Sequence, residues 1–240
     1  MMTQTTSSLN LVVSDKSDPE RDAVAESFAR HGGTVIRLGR FWDPPAIDPS
    51  TVRVYGADSF CLVLQQKIGF ALCSPPDDLL LHVPQAFLQR QLAKRTLADA
   101  QSLVYPAFIK PVTPKQFRGA VYASSHKLDE ECRGLSPSTA IIVAEVVPLT
   151  AEVRSFVLDG HVLDAAVYEG AAEIGDATRF IVELTKAMPL PLTVVVDVGF
   201  VVGRGWAVIE FNAVWGAGLN GCDPEKVWPA VIMASGLVGY

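Results

Sequence analysis

Residues 193–215 read TVVVDVGFVVGRGWAVIEFNAVW. Two runs of β-branched and aromatic residues flank Gly203-Arg204-Gly205, the pattern of a β-hairpin. With Gly203-Arg204 as a two-residue loop, glycine takes the first central position that a type II′ turn requires. Asp197 then stands opposite Glu210, and Asn212 lies two residues further along on the same face. Val194, Val196, Val198, Ile209 and Phe211 fill the other face. Two carboxylates that close repel each other and resist burial unless a cation lies between them. Oxygen-only ligands suit Mg²⁺, which keeps waters and takes its remaining ligands from substrate phosphates. The competing reading is a hairpin with one solvated face, on which the acids bind nothing. The register decides, because a three-residue loop puts Asp197 opposite Phe211 and dissolves the patch.

The rest of the composition bounds the chemistry. At 240 residues the chain is one large domain or two small ones. Being 49% hydrophobic and 19% charged, it can build a sizeable core and is unlike a disordered chain. The net charge is −6 and no strong basic cluster stands out, so no nucleic-acid partner is expected. Residues 1–10 carry no basic stretch followed by an apolar one, so no secretion signal is expected. No uninterrupted apolar run approaches the roughly 18 residues of a membrane span, and no membrane partner is expected. Cys61, Cys73, Cys132 and Cys222 are far apart, as for reduced thiols in a cytoplasmic protein. No two histidines have helical i, i+4 spacing, so a zinc site has little support. GxSxG, GxxxxGK[ST] and GxGxxG are all missing. A nucleotide, if bound, is held without those loops.

Read in order, residues 9–14 form a buried strand. A helix follows, capped by Asp18 with Pro19 at its first position and stopped near Gly32-Gly33. Residues 34–38 are a second strand, which makes a β-α-β opening. Residues 52–55 and 60–70 read as further strands. Residues 73–78, with Pro75-Pro76, mark a boundary. Residues 79–101 read as helical, with Pro84 starting a new helix. Arg90, Lys94 and Arg95 on that stretch read as a solvated face. Residues 105–112 form an apolar strand with Lys110 inside it, and a lysine so placed needs an anionic partner, such as a phosphate. Lys115 and Arg118 follow, either closing over phosphates or lying on the surface. Residues 141–147 are a strand ended by Pro148. Residues 152–158 and 161–168 pair through Asp159-Gly160. Glu152 and Arg154 share one face there and read as a surface ion pair. Residues 176–188 form an amphipathic helix, with Phe180, Ile181 and Leu184 facing inward. The glycine-rich loop WGAGLNG, residues 215–221, precedes a helix that starts at Asp223-Pro224 and bends at Pro229.

Taken as an ordered set, some of these residues resemble a known pattern. Lys110 stands in an IKP strand, Glu145 in a later strand, and Glu152 seven residues on with Arg154 close behind. Asp197 follows, and Glu210-Phe211-Asn212 begins thirteen residues after it. Across residues 79–223 the chain resembles the ATP-grasp superfamily, in its short and divergent clade. The resemblance implies an α+β and α/β chain of ATP-grasp fold, with two antiparallel sheet layers enclosing the nucleotide. A small N-terminal α/β lobe covers residues 1–76, and the ATP-grasp domain covers residues 77–240.

What the resemblance implies about residues is specific. Lys110 contacts the α- and β-phosphates of ATP, with Arg90 and Lys115 as further phosphate contacts. Glu145, Val146 and Val147 hold the adenine through their backbone, and Glu152 accepts from the ribose hydroxyls. Asp197, Glu210 and Asn212 hold Mg²⁺, while Arg154 stabilises the transferring phosphoryl group. The chemistry implied is an ATP- and Mg²⁺-dependent ligase. It activates a small-molecule or peptide carboxylate as an acyl phosphate for attack by an amine acceptor, and releases ADP. The loop 215–221 borders the acceptor, with Trp215 either as one wall or as core. A homodimer is the default assembly. The sequence departs from the pattern twice. Only Gly119 remains of a glycine-rich phosphate loop, and the strand after the hinge offers Tyr168 where a second arginine is usual. A kinase on the same scaffold and a nucleotide-binding module without catalysis are the alternatives.

Overall fold

A computed structural model describes residues 6–237. The chain forms two compact units that interleave in sequence. Among the described residues, the first comprises 6–75, 151–198 and 210–237, and the second comprises 76–150 and 199–209.

The first unit begins with β1 (Asn10–Ser14), α1 (Pro19–Arg30), β2 (Thr34–Leu38) and β3 (Val52–Val54), a parallel sheet of order β2-β1-β3. Leu11, Val12 and Val13 are fully buried, as expected of a parallel strand covered on both faces. The Asp18 carboxylate caps α1 by accepting from the Arg21 N–H at 3.0 Å, and Pro19 opens the helix. Just past its end, Gly32 turns the chain at φ +87°, a conformation glycine adopts at little cost.

The stretch read as strands over 60–70 is instead α2 (Asp58–Leu64) followed by a single π-helical turn over Gln65–Gly69. Phe60, Cys61 and Leu64 are buried and Leu62 is exposed. The burial therefore recurs with a helical period, and few β-branched residues oppose it. After it, β4 (Ala71–Leu72) pairs near the chain's end.

The second unit also departs from its expected helical character. A 3₁₀ turn over Leu79–His82 precedes α3 (Gln85–Leu88), which starts after Pro84 as expected. Gln89 then adopts the left-handed conformation, at φ +51°, and ends the helix. Residues 92–96 are a strand, β5 (Leu92–Thr96). Its sequence, LAKRT, has ordinary helix propensity, which the ladder to a neighbouring strand overrides. There follow β6 (Ala107–Pro111), β7 (Ala120–Tyr122), α4 (Ser125–Glu131) and β8 (Ala140–Ala144), giving an antiparallel sheet of order β5-β8-β6-β7. Its core gathers Ile109, Phe117, Tyr122, Leu128 and Ile141. The strand expected over 141–147 ends at Ala144, so residues 145–147 lie beyond it.

The remaining elements are β9 (Leu149–Leu158), β10 (His161–Gly170), α5 (Ile174–Ala187), β11 (Thr193–Val201), β12 (Gly205–Asn212), α6 (Pro224–Met233) and β13 (Ser235–Gly236). The sheet order is β10-β9-β11-β12. The turn expected at Asp159-Gly160 is present, and both residues have positive φ, +49° and +73°, as a type I′ turn requires. On α5, Ile181 and Leu184 are buried as expected, whereas Phe180 is half-buried. The described helices include none long and apolar enough to cross a membrane. All four cysteines are unbonded and buried.

Candidate active site

The hairpin of β11 and β12 exists, but its turn differs from the expected one. The Arg204 N–H donates to the Val201 carbonyl at 3.0 Å, so Val202 and Gly203 are the central residues. Gly203 has φ +74° and therefore occupies the second central position, as in a type II turn. Nor does β11 have one solvated face. Val195 on Asp197's side of the strand is as fully buried as Val194, Val196 and Val198 on the other.

The three oxygen-bearing side chains nevertheless meet. The Asn212 amide nitrogen donates to Asp197 Oδ2 at 3.2 Å and to Glu210 Oε1 at 2.9 Å, tying both acids to one point. Asp197 is 1% exposed. Arg154, on the adjacent strand β9, meets it with both arms: Nε donates to Oδ1 at 2.9 Å and Nη2 to Oδ2 at 2.6 Å. This fork geometry is the strong form of an arginine–carboxylate contact. Arg154 Nη1 donates to the Gly218 carbonyl at 3.0 Å, which fixes the loop after the hairpin. Burial pushes the Asp197 carboxyl above its ordinary range, against the opposing effect of Arg154, and Glu210 and Glu152 push it the same way. Burial works against the Arg154 charge, but its pair with Asp197 outweighs that and holds it firmly protonated.

The donor set suits a hard divalent cation. It is oxygen-only, and with its amide turned over Asn212 presents its oxygen to the point its nitrogen now occupies. Among the described residues no three His, Cys, Asp or Glu side chains cluster as metal ligands. An ion held by two acids and an amide would therefore complete its shell from water or phosphate, as Mg²⁺ does.

Glu152 and Arg154 do not pair with each other as the sequence suggested. Arg154 turns to Asp197, and the Tyr168 hydroxyl donates to Glu152 Oε2 at 2.5 Å. Trp215 is core: it is 5% exposed, and its indole N–H donates to Ser74 Oγ at 3.0 Å. Sequence reasoning missed Glu20, whose carboxylate accepts from the backbone N–H groups of Leu219 and Asn220 at 2.8 and 3.0 Å. It sits in the first turn of α1, and nothing in its sequence context signals a partner 199 residues away.

In the second unit Lys110 shares a sheet face with its cross-strand partner Ile142. A Cβ at Gly119 would lie 3.0 Å from Lys110 Cβ, so the small residue leaves the lysine stem its room. Lys115 is exposed and left-handed, at φ +66°. The Arg90 guanidinium lies on backbone carbonyls of Leu88 and Val208 at 3.1 and 2.7 Å, and burial works against its charge.

Glu145 is held on two sides. Its carboxylate accepts from Arg204 at 2.7 and 3.1 Å and from the Gln91 N–H at 3.1 Å. Its own N–H donates to the Gln91 carbonyl at 2.9 Å. The Arg204 bonds, with the Gln91 N–H adding to them, hold its carboxyl down to about 2. A carboxyl depressed on folding adds stability above its ordinary pKa, and that stability is lost as pH falls toward the depressed value. The contribution is therefore present above about pH 4.5 and disappears toward about pH 2. In Arg204→Ala, a carbon-detected NMR titration of Glu145 is expected to move back toward the ordinary carboxylate range. An unchanged midpoint would show that Arg204 does not set it.

A cavity of about 570 Å³ also lies in the second unit, lined by Ala93, Arg95, Leu103, Ala107, Val143 and Glu145, among others. In the strand register Ala93, Ala107 and Val143 alternate with Phe108, Lys110 and Ile142. Ala93, Arg95, Ala107 and Val143 therefore line the cavity from the sheet face turned away from Lys110, while Leu92 and Ala144, which also line it, lie on the Lys110 face.

Comparison with known proteins agrees with this architecture. The sequence model of an ATP-grasp domain family, described as family 2 of its clade, matches residues 87–230. No curated protein sequence matches the chain significantly. Solved structures do. A RimK domain ATP-grasp protein from Sphaerobacter thermophilus superposes with a TM-score of 0.60 at 16% identity, over 94% of this chain and 98% of that one. The D-alanine–D-alanine ligase of Bacillus anthracis gives 0.55 at 11%, over 94% and 97%. The ATP-grasp ligase PsnB, in complex with precursor peptide PsnA2 and AMPPNP, gives 0.53 at 16%, over 97% and 99%. At these identities the likeness establishes the fold.

Proposed function

The chain belongs to this ATP-grasp domain family, and from that premise we propose that it is an ATP- and Mg²⁺-dependent ligase. It activates a carboxylate as an acyl phosphate and lets an amine or similar nucleophile displace the phosphate, with ADP as the other product. The observation that carries this reading is the meeting of Asp197, Glu210 and Asn212 beside the buried guanidinium of Arg154. Phosphoryl transfer asks mainly for positioning and for cations aimed at the moving charge. Asp197, Glu210 and Asn212 would hold Mg²⁺, which when bound neutralises charge on the β- and γ-phosphates. Lys110 holds the α- and β-phosphates, with Arg90 and Lys115 as further contacts, and backbone groups of residues 145–147 hold the adenine. Glu152 accepts from the ribose hydroxyls, and Arg154 stabilises the transferring group. Two of the structural relatives, a D-alanine–D-alanine ligase and an ATP-grasp ligase in complex with a precursor peptide, support a small-molecule or peptide acid as substrate.

One observation favours a second reading, a nucleotide-binding module without catalysis. Three of the five N–H donors of Arg154 are engaged, by Asp197 and by Gly218, and its charge is already paired with the Asp197 carboxylate, which leaves only two N–H groups for a transferring group.

Thermal unfolding with and without ATP and Mg²⁺ tests the nucleotide assignment. Ligand at 100 times its dissociation constant adds about 2.7 kcal/mol. For a chain of this length that raises the melting temperature by about 5–10 °C. The rise is expected to need Mg²⁺ and to vanish in Lys110→Ala. Without any rise in the parent protein, the ligase reading fails. A rise without ADP release across a screen of acids and amines selects the non-catalytic module.

A further inference from the structure

Tyr168 touches two of the residues just assigned, Glu152 and Arg154, and it gets there through an irregularity in its strand. Along β10 the register against β9 runs Ala166↔Arg154, Val167↔Val153, then Glu169↔Glu152. Tyr168 is the extra residue, so Tyr168 and Glu169 together oppose Glu152 in a β-bulge. A bulge changes where a side chain points without lengthening the sheet. Here it brings the phenol onto Glu152. The hydroxyl donates to Glu152 Oε2 at 2.5 Å, in the range of a charge-assisted O–H···O⁻ bond. The ring also faces the Arg154 guanidinium, whose Cζ lies 5.9 Å from the ring centroid. Burial, and then the bond to Glu152, push the phenol's own titration up, so it stays a donor at any working pH.

A glutamate on an open strand face has several rotamers, and ordering it costs free energy whenever a ligand must do the ordering. A phenol fixed by a bulge and by a neighbouring guanidinium removes that cost in advance. It occupies one carboxylate oxygen and leaves Oε1, with the remaining lone pairs of Oε2, for other donors. We propose that Tyr168 is a positioning residue. It pre-orders the Glu152 carboxylate as an acceptor for a pair of vicinal hydroxyls, and so makes the site selective for ribonucleotides over deoxynucleotides. The proposal rests on the ATP reading above and deepens it.

Binding of ATP, 2′-deoxy-ATP and 2′,3′-dideoxy-ATP, each with Mg²⁺, is measured by calorimetry on the parent, Tyr168→Phe, Glu152→Ala and the double variant. The parent is expected to prefer ATP over the dideoxy nucleotide. Tyr168→Phe, which keeps the ring and loses only the hydroxyl, is expected to shrink that preference about fivefold to tenfold, the worth of one hydrogen bond. Its affinity for dideoxy-ATP stays at the parent value, which a general structural defect would not allow. In the Glu152→Ala background the Tyr168→Phe change is expected to do nothing. Preference unchanged in Tyr168→Phe overturns the proposal, as does an equal loss for all three nucleotides. A parent that binds ATP and dideoxy-ATP equally well also overturns it, together with the ribose role of Glu152, and leaves the rest of the ligase reading standing. A parent that binds none of the three overturns both.

Discussion

Asp197→Ala is expected to destabilise the protein by about 3–5 kcal/mol, because it strands the Arg154 guanidinium in a desolvated place. Arg154 is 12% exposed and Asp197 1%, so water cannot replace the lost partner. For a chain of this size the melting temperature should fall by about 6–20 °C. The double variant Arg154→Met with Asp197→Leu separates two explanations. Replacing both members of a buried pair by apolar residues is often neutral or stabilising. The double variant is therefore expected to recover most of the single variant's loss, in urea or thermal unfolding, while binding no nucleotide in a Mg²⁺-dependent way. A single variant that loses less than about 1 kcal/mol would show that the pair is not desolvated as described.

Glu210→Gln should have the opposite profile. The amide oxygen can still accept from Asn212, so the contact that ties the patch together survives. What is lost is one negative charge in the oxygen set, and with it the hold on a divalent cation. ADP release is expected to fall about 10²- to 10³-fold, the usual effect of removing one charge-stabilising interaction in a transition state. The ligand-free melting temperature should stay close to the parent's. The extra melting-temperature rise that Mg²⁺ gives with ATP should disappear. Turnover at the parental rate would remove Glu210 from the metal assignment.

The two substitutions divide the patch by physical role. Asp197 serves the fold through Arg154 as well as any ion, whereas Glu210 is half-buried and is expected to serve chiefly the ion. A buried carboxylate that must satisfy both is where a site of this kind is least tolerant of change.

Much of this could be read from the chain alone. The β-α-β opening, the capped helix at Asp18-Pro19, the strand around Lys110, the Asp159-Gly160 turn and the hairpin of residues 193–215 all rest on local signals. Turn residues, caps and β-branched runs act within a few positions of themselves, so a one-dimensional reading recovers them. The ordered set from Lys110 to Asn212 identified the ATP-grasp fold for the same reason, because order along the chain is sequence information. The misreadings fall where local preference is weak. Residues 60–70 are apolar without a clear period and became a helix. Residues 92–96 are indifferent between helix and strand, and the ladder to β8 made them a strand.

What only the tertiary structure decided is which groups face which. Glu152 and Arg154 share a strand face, yet Arg154 bonds to Asp197, 43 residues away, and Glu152 to Tyr168. Arg204, a turn residue by sequence, holds Glu145 on the far side of a long intervening chain. Glu20 fixes a loop 199 residues downstream. Such partnerships depend on strand order, on one extra residue in β10 and on a turn placed one position earlier than its glycines suggest. None of these has a local energetic signature strong enough to read before the strands are paired. The sequence by itself determined the kind of fold and the residues able to carry charge chemistry. Burial and register determined which of those residues are already committed to one another.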